Sequence, residues 1–182
     1  MAVGSMVCFV KGRPAKRDYR RYRIRTVEGA NDLAMMQEVI DRRYRHLVEE
    51  GKALPDLIVI DGGAGQLNAA LAALAGTGAP PIPMLGLAKK HEQIHLPGRR
   101  DPLQLSRHDS ALRLLQAIRD EAHRFALAYH HVLRRQRISD SLLAEIDGIG
   151  QTRRQKILQA FGSITRLRRA TTDEIVAAVP GI

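Results

Sequence analysis

Apolar and polar positions follow two different periods along this chain, and the places where the period changes mark its elements. Residues 6–10, Met6-Val7-Cys8-Phe9-Val10, form a continuous apolar run that reads as a buried strand. Lys11-Gly12-Arg13-Pro14 breaks it, because glycine and proline both interrupt a ladder. Over residues 21–27 the period is two: Tyr22, Ile24 and Thr26 face one way, Arg21, Arg23 and Arg25 the other. That alternation predicts a strand with one buried and one cationic face. The two strands pair as a hairpin, and Arg21 is read as solvated.

Asn31 caps a helix running toward Glu50, with Leu33, Met36, Ile40 and Leu47 on its inner face and Gly51 at its end. Residues 57–60 are a short apolar run of the kind found in a strand buried on both faces. The run stops at Asp61-Gly62-Gly63. Residues 66–75 then read as a helix, 76–83 as a loop, 82–88 as a second central strand and 93–96 as a small outer one. Asp109 or Ser110 caps the longest helix, whose face Leu112, Leu115, Ile118, Ala122, Phe125, Tyr129 and Val132 packs on the sheet. This order predicts an α/β domain, a mixed sheet flanked by helices. The basic stretch Arg134-Arg135-Gln136-Arg137 leads into a second regime. There the short helices 139–145 and 152–161 alternate with the turns Asp147-Gly148-Ile149-Gly150 and Val179-Pro180-Gly181. The expected division is an α/β domain over residues 1–137 and a small all-helical module over residues 138–182.

Composition adds charge to this picture. Lys and Arg number 29 against 19 Asp and Glu in 182 residues, a formal net charge of +10. A polyanion is the natural partner, because neutralised phosphates release counterions. With 45% apolar residues the chain can bury a core, and with 4% aromatics and no Trp it lacks the side chains of a single-strand stacking platform. Cys8 alone makes neither an internal disulfide nor a zinc cluster, and is read as a structural thiol. No stretch spans a bilayer and no signal pattern opens the chain, so a cytoplasmic protein without membrane contact is expected.

Three places can carry chemistry. Asp61 ends a buried strand where open α/β sheets bind ligands, and its two glycines allow close backbone approach. Position alone leaves it open between a functional acid and a cap for the next helix. The segment Asp61-Gly62-Gly63-Ala64-Gly65 lacks the Lys-Ser or Lys-Thr ending of a phosphate loop, which rejects a nucleotide cofactor. His123 sits at the seam between the packed and polar faces of the long helix. Asp120 either orients it or pairs with Arg124, and a plain boundary histidine stays open. His91, His95, His108, His130 and His131 show no metal-ligand spacing, and the last two are read as solvated. Gly148 and Gly150 expose backbone N–H groups where a helix begins, and Arg153, Arg154 and Lys156 follow at once. That pattern holds a phosphate, unless the glycines serve packing only.

Longer segments point to a family. Residues 55–68, Pro-Asp-Leu-Ile-Val-Ile-Asp-Gly-Gly-Ala-Gly-Gln-Leu-Asn, resemble the segment "PDLILIDGGKGQL" of the bacterial excision-repair nuclease UvrC, and residues 118–126 resemble its "RDEAHRFA". Val3-Gly4-Ser5-Met6-Val7, Tyr19-Arg20-Arg21-Tyr22, Gly86-Leu87-Ala88-Lys89 and the terminal hairpins fall in the same order across the chain. The resemblance is to the carboxy-terminal half of that family and implies an RNase H-like endonuclease domain followed by helix-hairpin-helix segments. It implies a metal-dependent incision 5′ to a lesion in double-stranded DNA, made with UvrB in the pathway begun by UvrA. The implied catalytic set is Asp-Asp-His with Mg²⁺ or Mn²⁺, of which Asp61 matches the second acid and His123 the histidine, as metal ligand or charge stabiliser. The family's first acid lies in an "FDISH" strand ahead of Val3, and Ala64 stands where the family usually has Lys. The chain by itself is therefore expected to be weakly active or inactive, with its second hairpin incomplete. The competing expectation is a non-catalytic DNA-binding fragment that uses the glycine hairpin and the basic surface.

Overall fold

In a computed structural model of the chain, residues 3–27, 29, 31–144, 146 and 148–179 are described, with backbone alone for Lys90 and residues 130–141. The side chains of His130, His131 and the 134–137 basic stretch lie outside the described set, as do Asp147 and Pro180-Gly181. The chain divides into two compact units, residues 1–126 and 127–182.

The first apolar run is two strands, because the chain bends between them. Strand β1 (Val3–Met6) is separated from β2 (Phe9–Val10) by Val7 and Cys8. Lys11 and Gly12 take φ values of 51° and 73°, the left-handed pair that a two-residue hairpin turn requires. Strand β3 (Arg13–Pro14) therefore pairs antiparallel with β2, where the expected reading was a turn; Pro14 is tolerated because this ladder has an open edge. Strand β4 (Arg20–Arg23) pairs antiparallel with β1, Gly4 opposite Tyr22. It is shorter than residues 21–27. The backbone N–H groups of Arg25 and Thr26 donate to the Glu38 carboxylate at 2.9–3.0 Å, so they leave the ladder for a side chain.

Helix α1 (Asp32–Glu49) begins as the sequence indicates, with Asn31 Oδ1 accepting from Ala34 N–H at 3.1 Å. Ile40 and Leu47 are buried, Leu33 is exposed, and Glu38 and Tyr44 join the buried face. Strand β5 (Ile58–Asp61) runs parallel to β6 (Met84–Ala88), and β7 (Gln93–His95) pairs antiparallel with β6, so the three-stranded sheet is mixed. Leu57, expected in β5, is exposed and precedes it. Helix α2 (Ala64–Ala75) starts two residues before the expected Gln66, because Gly63 serves as its N-cap.

Two apolar layers sandwich this sheet. Ile58, Ile60 and Met84 pack with Ile40, Tyr44 and Leu47 of α1 and Leu67, Ala70 and Leu74 of α2. Leu85, Leu87 and Ile94 pack with Leu112 and Leu115 of α3 (Ser110–Ala144). The unit is thus α/β with helices on both sheet faces. Helix α3 absorbs the separate short helix expected over residues 139–145. No glycine or proline occurs between Ser110 and Ala144, so nothing in the sequence stops the helix. Asp109 caps it, its carboxylate accepting from Ala111 N–H at 2.8 Å. The second unit also contains α4 (Gln151–Phe161), α5 (Ile164–Leu167) and α6 (Thr172–Ala178), packed around Leu143, Ile157 and Val179.

Glu38 closes the entrance to α1. Besides the two backbone N–H groups it accepts from Thr26 Oγ1 at 2.7 Å and from Arg42 at 2.7 Å. Burial pushes its carboxyl up, but these donors from Thr26, Arg25 and Arg42 outweigh it and hold the pKa at about 2. Glu38→Ala strands those donors and should destabilise the fold by about 2 kcal/mol in urea denaturation. A folded pKa below that of the unfolded chain gives stability that is present above the ordinary glutamate range and lost as pH falls toward 2. The native chain should therefore lose stability over that acidic window more steeply than Glu38→Gln.

Candidate active site and nucleic-acid interface

Asp61 is the last residue of β5 and lies beside Leu87 of β6. Its side chain is exposed and makes no hydrogen bond or ion pair among the described residues. The turn after it is tied to the neighbouring strand, since Gly62 N–H donates to Leu87 O at 3.1 Å as well as to Ile60 O at 3.0 Å. A Cβ on Gly86 would lie 2.7 Å from Gly62 O, and one on Gly62 would lie 2.7 Å from Gln66 Cβ. Gly62 and Gly86 are thus required by packing of the chain on itself, a reason the sequence does not show. Gln66 Oε1 accepts from Gly63 N–H at 3.2 Å and anchors the start of α2. His95, opposite Gly86 in the ladder, brings Nε2 to within 3.7 Å of where a Gly63 Cβ would stand. The carboxyl edge of β5 therefore gathers Asp61, the glycine turn and His95. His95 was not singled out by spacing, because only strand pairing brings it there.

His123 is exposed on α3, and its neighbours fix the helix to the β1–β4 hairpin. Tyr19 OH donates to Glu121 at 3.0 Å, and the Tyr19 and Phe125 rings meet edge-on at 5.0 Å and 68°. Arg21 is exposed, as the sequence reading has it, and its guanidinium also lies 4.4 Å from the centroid of the Phe125 ring. Arg124 donates twice to Glu121 at 2.6 Å. Those bonds hold the Glu121 carboxyl down at about 2 despite its burial, with the Tyr19 hydroxyl adding to them. Burial, followed by the bond to Glu121, pushes Tyr19 up to about 12. Asp120 neither orients His123 nor pairs with Arg124: it bonds Arg119 at 3.0 Å, while Arg124 takes Glu121.

Among the described residues, no three of His, Cys, Asp and Glu stand together as a metal-holding group. A hard divalent ion takes about six oxygen donors. Asp61 offers one carboxylate, so the described residues do not by themselves complete a metal site.

In the second unit Gly148 has φ +81°, a left-handed conformation that favours glycine, and its carbonyl accepts from Arg153 at 2.6 Å. Gly150 has ordinary extended geometry and is the N-cap of α4, with no side chain capping it. Gly148, Gly150, Arg153 and Lys156 are exposed and Arg154 is half-buried. The turn thus brings the two glycines to the amino end of a cationic helix.

The profile of the UvrC RNAse H endonuclease domain matches residues 1–127. The chain is 49% identical over 173 residues to UvrABC system protein C of Prosthecochloris aestuarii, covering 95% of this chain and 28% of that protein. It is 48% identical to the same-named protein of Pelodictyon phaeoclathratiforme, covering 97% and 28%, and 44% identical to that of Methanosphaera stadtmanae, covering 96% and 30%. The chain therefore spans less than a third of the length of these relatives.

Gly86→Ala should cost about 1–3 kcal/mol in thermal or urea unfolding, because the methyl meets the Gly62 carbonyl rather than a flexible side chain. Gly65→Ala, with nothing within 4 Å of its Cβ, should be neutral or stabilise α2 by about 0.5–1 kcal/mol. At the second site, Arg153→Ala with Lys156→Ala should flatten the salt dependence of duplex binding by about one unit of slope for each phosphate that is no longer neutralised. An unchanged slope would leave this turn with a packing role only.

Proposed function

Since the chain belongs to the UvrC RNAse H endonuclease domain family, we propose that it serves as the endonuclease portion of bacterial nucleotide excision repair. The proposed reaction is a metal-dependent incision of double-stranded DNA on the 5′ side of a lesion. The observation that carries this reading is Asp61, an exposed carboxylate with no intramolecular partner among the described residues, at the carboxyl edge of a parallel strand pair. Nor does Asp61 cap the next helix, since the N-cap of α2 is Gly63.

In this proposal Asp61 and His123 are the chain's contribution to the catalytic centre, with Mg²⁺ or Mn²⁺ as cofactor. Such an ion supplies charge neutralisation at the phosphodiester and an activated water. Gly148 and Gly150 offer backbone N–H groups to a phosphate, and Arg153, Arg154 and Lys156 neutralise its neighbours. The names of the relatives refer to the UvrABC system; action with UvrB, downstream of UvrA and on lesion-bearing DNA, is proposed from that. No described helix is long and apolar enough to cross a membrane, which is compatible with the cytoplasmic location proposed.

A second reading, DNA binding without cutting, is favoured because no three His, Cys, Asp or Glu side chains among the described residues are grouped to hold a metal. One experiment separates the two. With UvrB, lesion-containing duplex and Mg²⁺ or Mn²⁺, a protein in which the family's acid-bearing strand is joined to this chain should nick robustly. Asp61→Asn and His123→Ala should each abolish the robust nicking while duplex affinity and circular dichroism stay unchanged. Robust nicking by Asp61→Asn would sink the site assignment, and absence of nicking in every form would leave the non-cutting reading.

A further inference from the structure

The turn that follows β6 is strained without a glycine to relieve it. His91 and Glu92 take φ values of 64° and 51°, consecutive left-handed conformations in residues that carry a Cβ. Such backbone persists only where surrounding contacts over-determine it. The contact here is an ion pair: Arg119 Nη1 of α3 donates to Glu92 at 2.7 Å, and the Arg119 side chain is only 12% exposed. Arg119 is fixed in turn by Asp120, at 3.0 Å.

The strained pair lies between two elements whose positions are set by the sheet. Strand β6 ends at Ala88, one residue past Leu87, the ladder neighbour of Asp61. Strand β7 begins at Gln93, opposite Ala88. The only residues between them are Lys89, Lys90, His91 and Glu92, so the clamp at Glu92 fixes where Lys89 leaves the sheet. Lys89 is exposed and makes no ion pair among the described residues. The carboxylate closest to it in sequence, Glu92, is engaged by Arg119. A cation with no ion pair among the described residues is thereby presented by the clamped turn at the edge that carries Asp61. Adjacent strands are about 4.8 Å apart, well within reach of a lysine side chain.

We propose that Lys89 binds a backbone phosphate of duplex DNA beside the position served by Asp61, and that the Glu92–Arg119 pair holds the strained turn in order to place it there. The proposal rests on the nuclease reading and adds a contact to it. A lysine is suited to this role because its ammonium acts as a point charge that needs no matched fork of acceptors. Glu92 and Arg119 are positioning residues, acting through Lys89.

The test uses the whole chain and a fluorescein-labelled DNA duplex, with affinity measured by anisotropy from about 50 to 200 mM salt. Lys89→Ala should lower the salt slope by about one unit, so that affinity falls roughly three- to fourfold less across that range. Lys89→Arg should restore the native slope, which a merely structural role for the lysine would not predict. Glu92→Gln keeps the lysine but releases the turn, and should lower the slope toward that of Lys89→Ala with circular dichroism unchanged. A native slope in Lys89→Ala overturns the phosphate contact, and a native slope in Glu92→Gln overturns the clamp. Failure of the native chain to bind duplex at any salt would instead overturn the nuclease reading on which both depend.

Discussion

At the carboxyl edge of the β5–β6 pair two backbones lie against each other with no side chain between them. Gly62 N–H bonds Leu87 O, and Gly62 O lies 2.7 Å from where a Cβ on Gly86 would be. Because this contact is backbone on backbone, it has no rotamer through which to relax, and it sets the course of the chain leaving β5. Asp61 is carried on one side of it, Gly63 opens α2 on the other, and His95 comes up beside the turn through its pairing with Gly86. The edge where the candidate chemistry gathers is thus built by close packing first and by polar side chains second.

A count of 29 basic residues overstates how many cations this protein leaves unpaired for a polyanion. Arg42 is taken up by Glu38 and the Arg23 carbonyl, Arg119 by Glu92 and Asp120, Arg124 by Glu121, and Arg21 lies over Phe125. These arginines hold strands and turns to helices, and each uses the planar, multi-donor guanidinium in a way a lysine would not reproduce. The surface field is therefore shaped by which cations the fold leaves unpaired, and a count of basic residues does not reveal that.

Glycine is used in two ways. In the first, Gly62 and Gly86 are needed because there is no room for a side chain. In the second, Gly148 is needed because its backbone is left-handed, while Gly150, with φ −71°, is not constrained in that way. Each unit also has its own apolar core, Ile60, Leu67 and Leu87 in one and Leu143, Ile157 and Val179 in the other.

The periodicity and caps of the sequence determined the α/β class, the helices begun by Asn31 and Asp109, the buried strands at Ile58–Asp61 and Met84–Ala88, and the location of Asp61 at a strand end. These are legible because they depend on neighbours a few residues away: side-chain alternation, helical spacing, a cap reaching its own first turn. The short ladder after Lys11-Gly12, the early end of β4 and the uninterrupted run of α3 were decided otherwise. Beta pairing joins residues distant in sequence, and the carboxylate that draws Arg25 and Thr26 out of the ladder stands more than ten residues away on α1. The same holds for the site. Motif resemblance marks Asp61 and His123, but the bonds from Tyr19 to Glu121 and from Arg119 to Glu92 link residues 102 and 27 positions apart. Such contacts leave no local pattern, because the chain must first fold through the sheet to bring their atoms together.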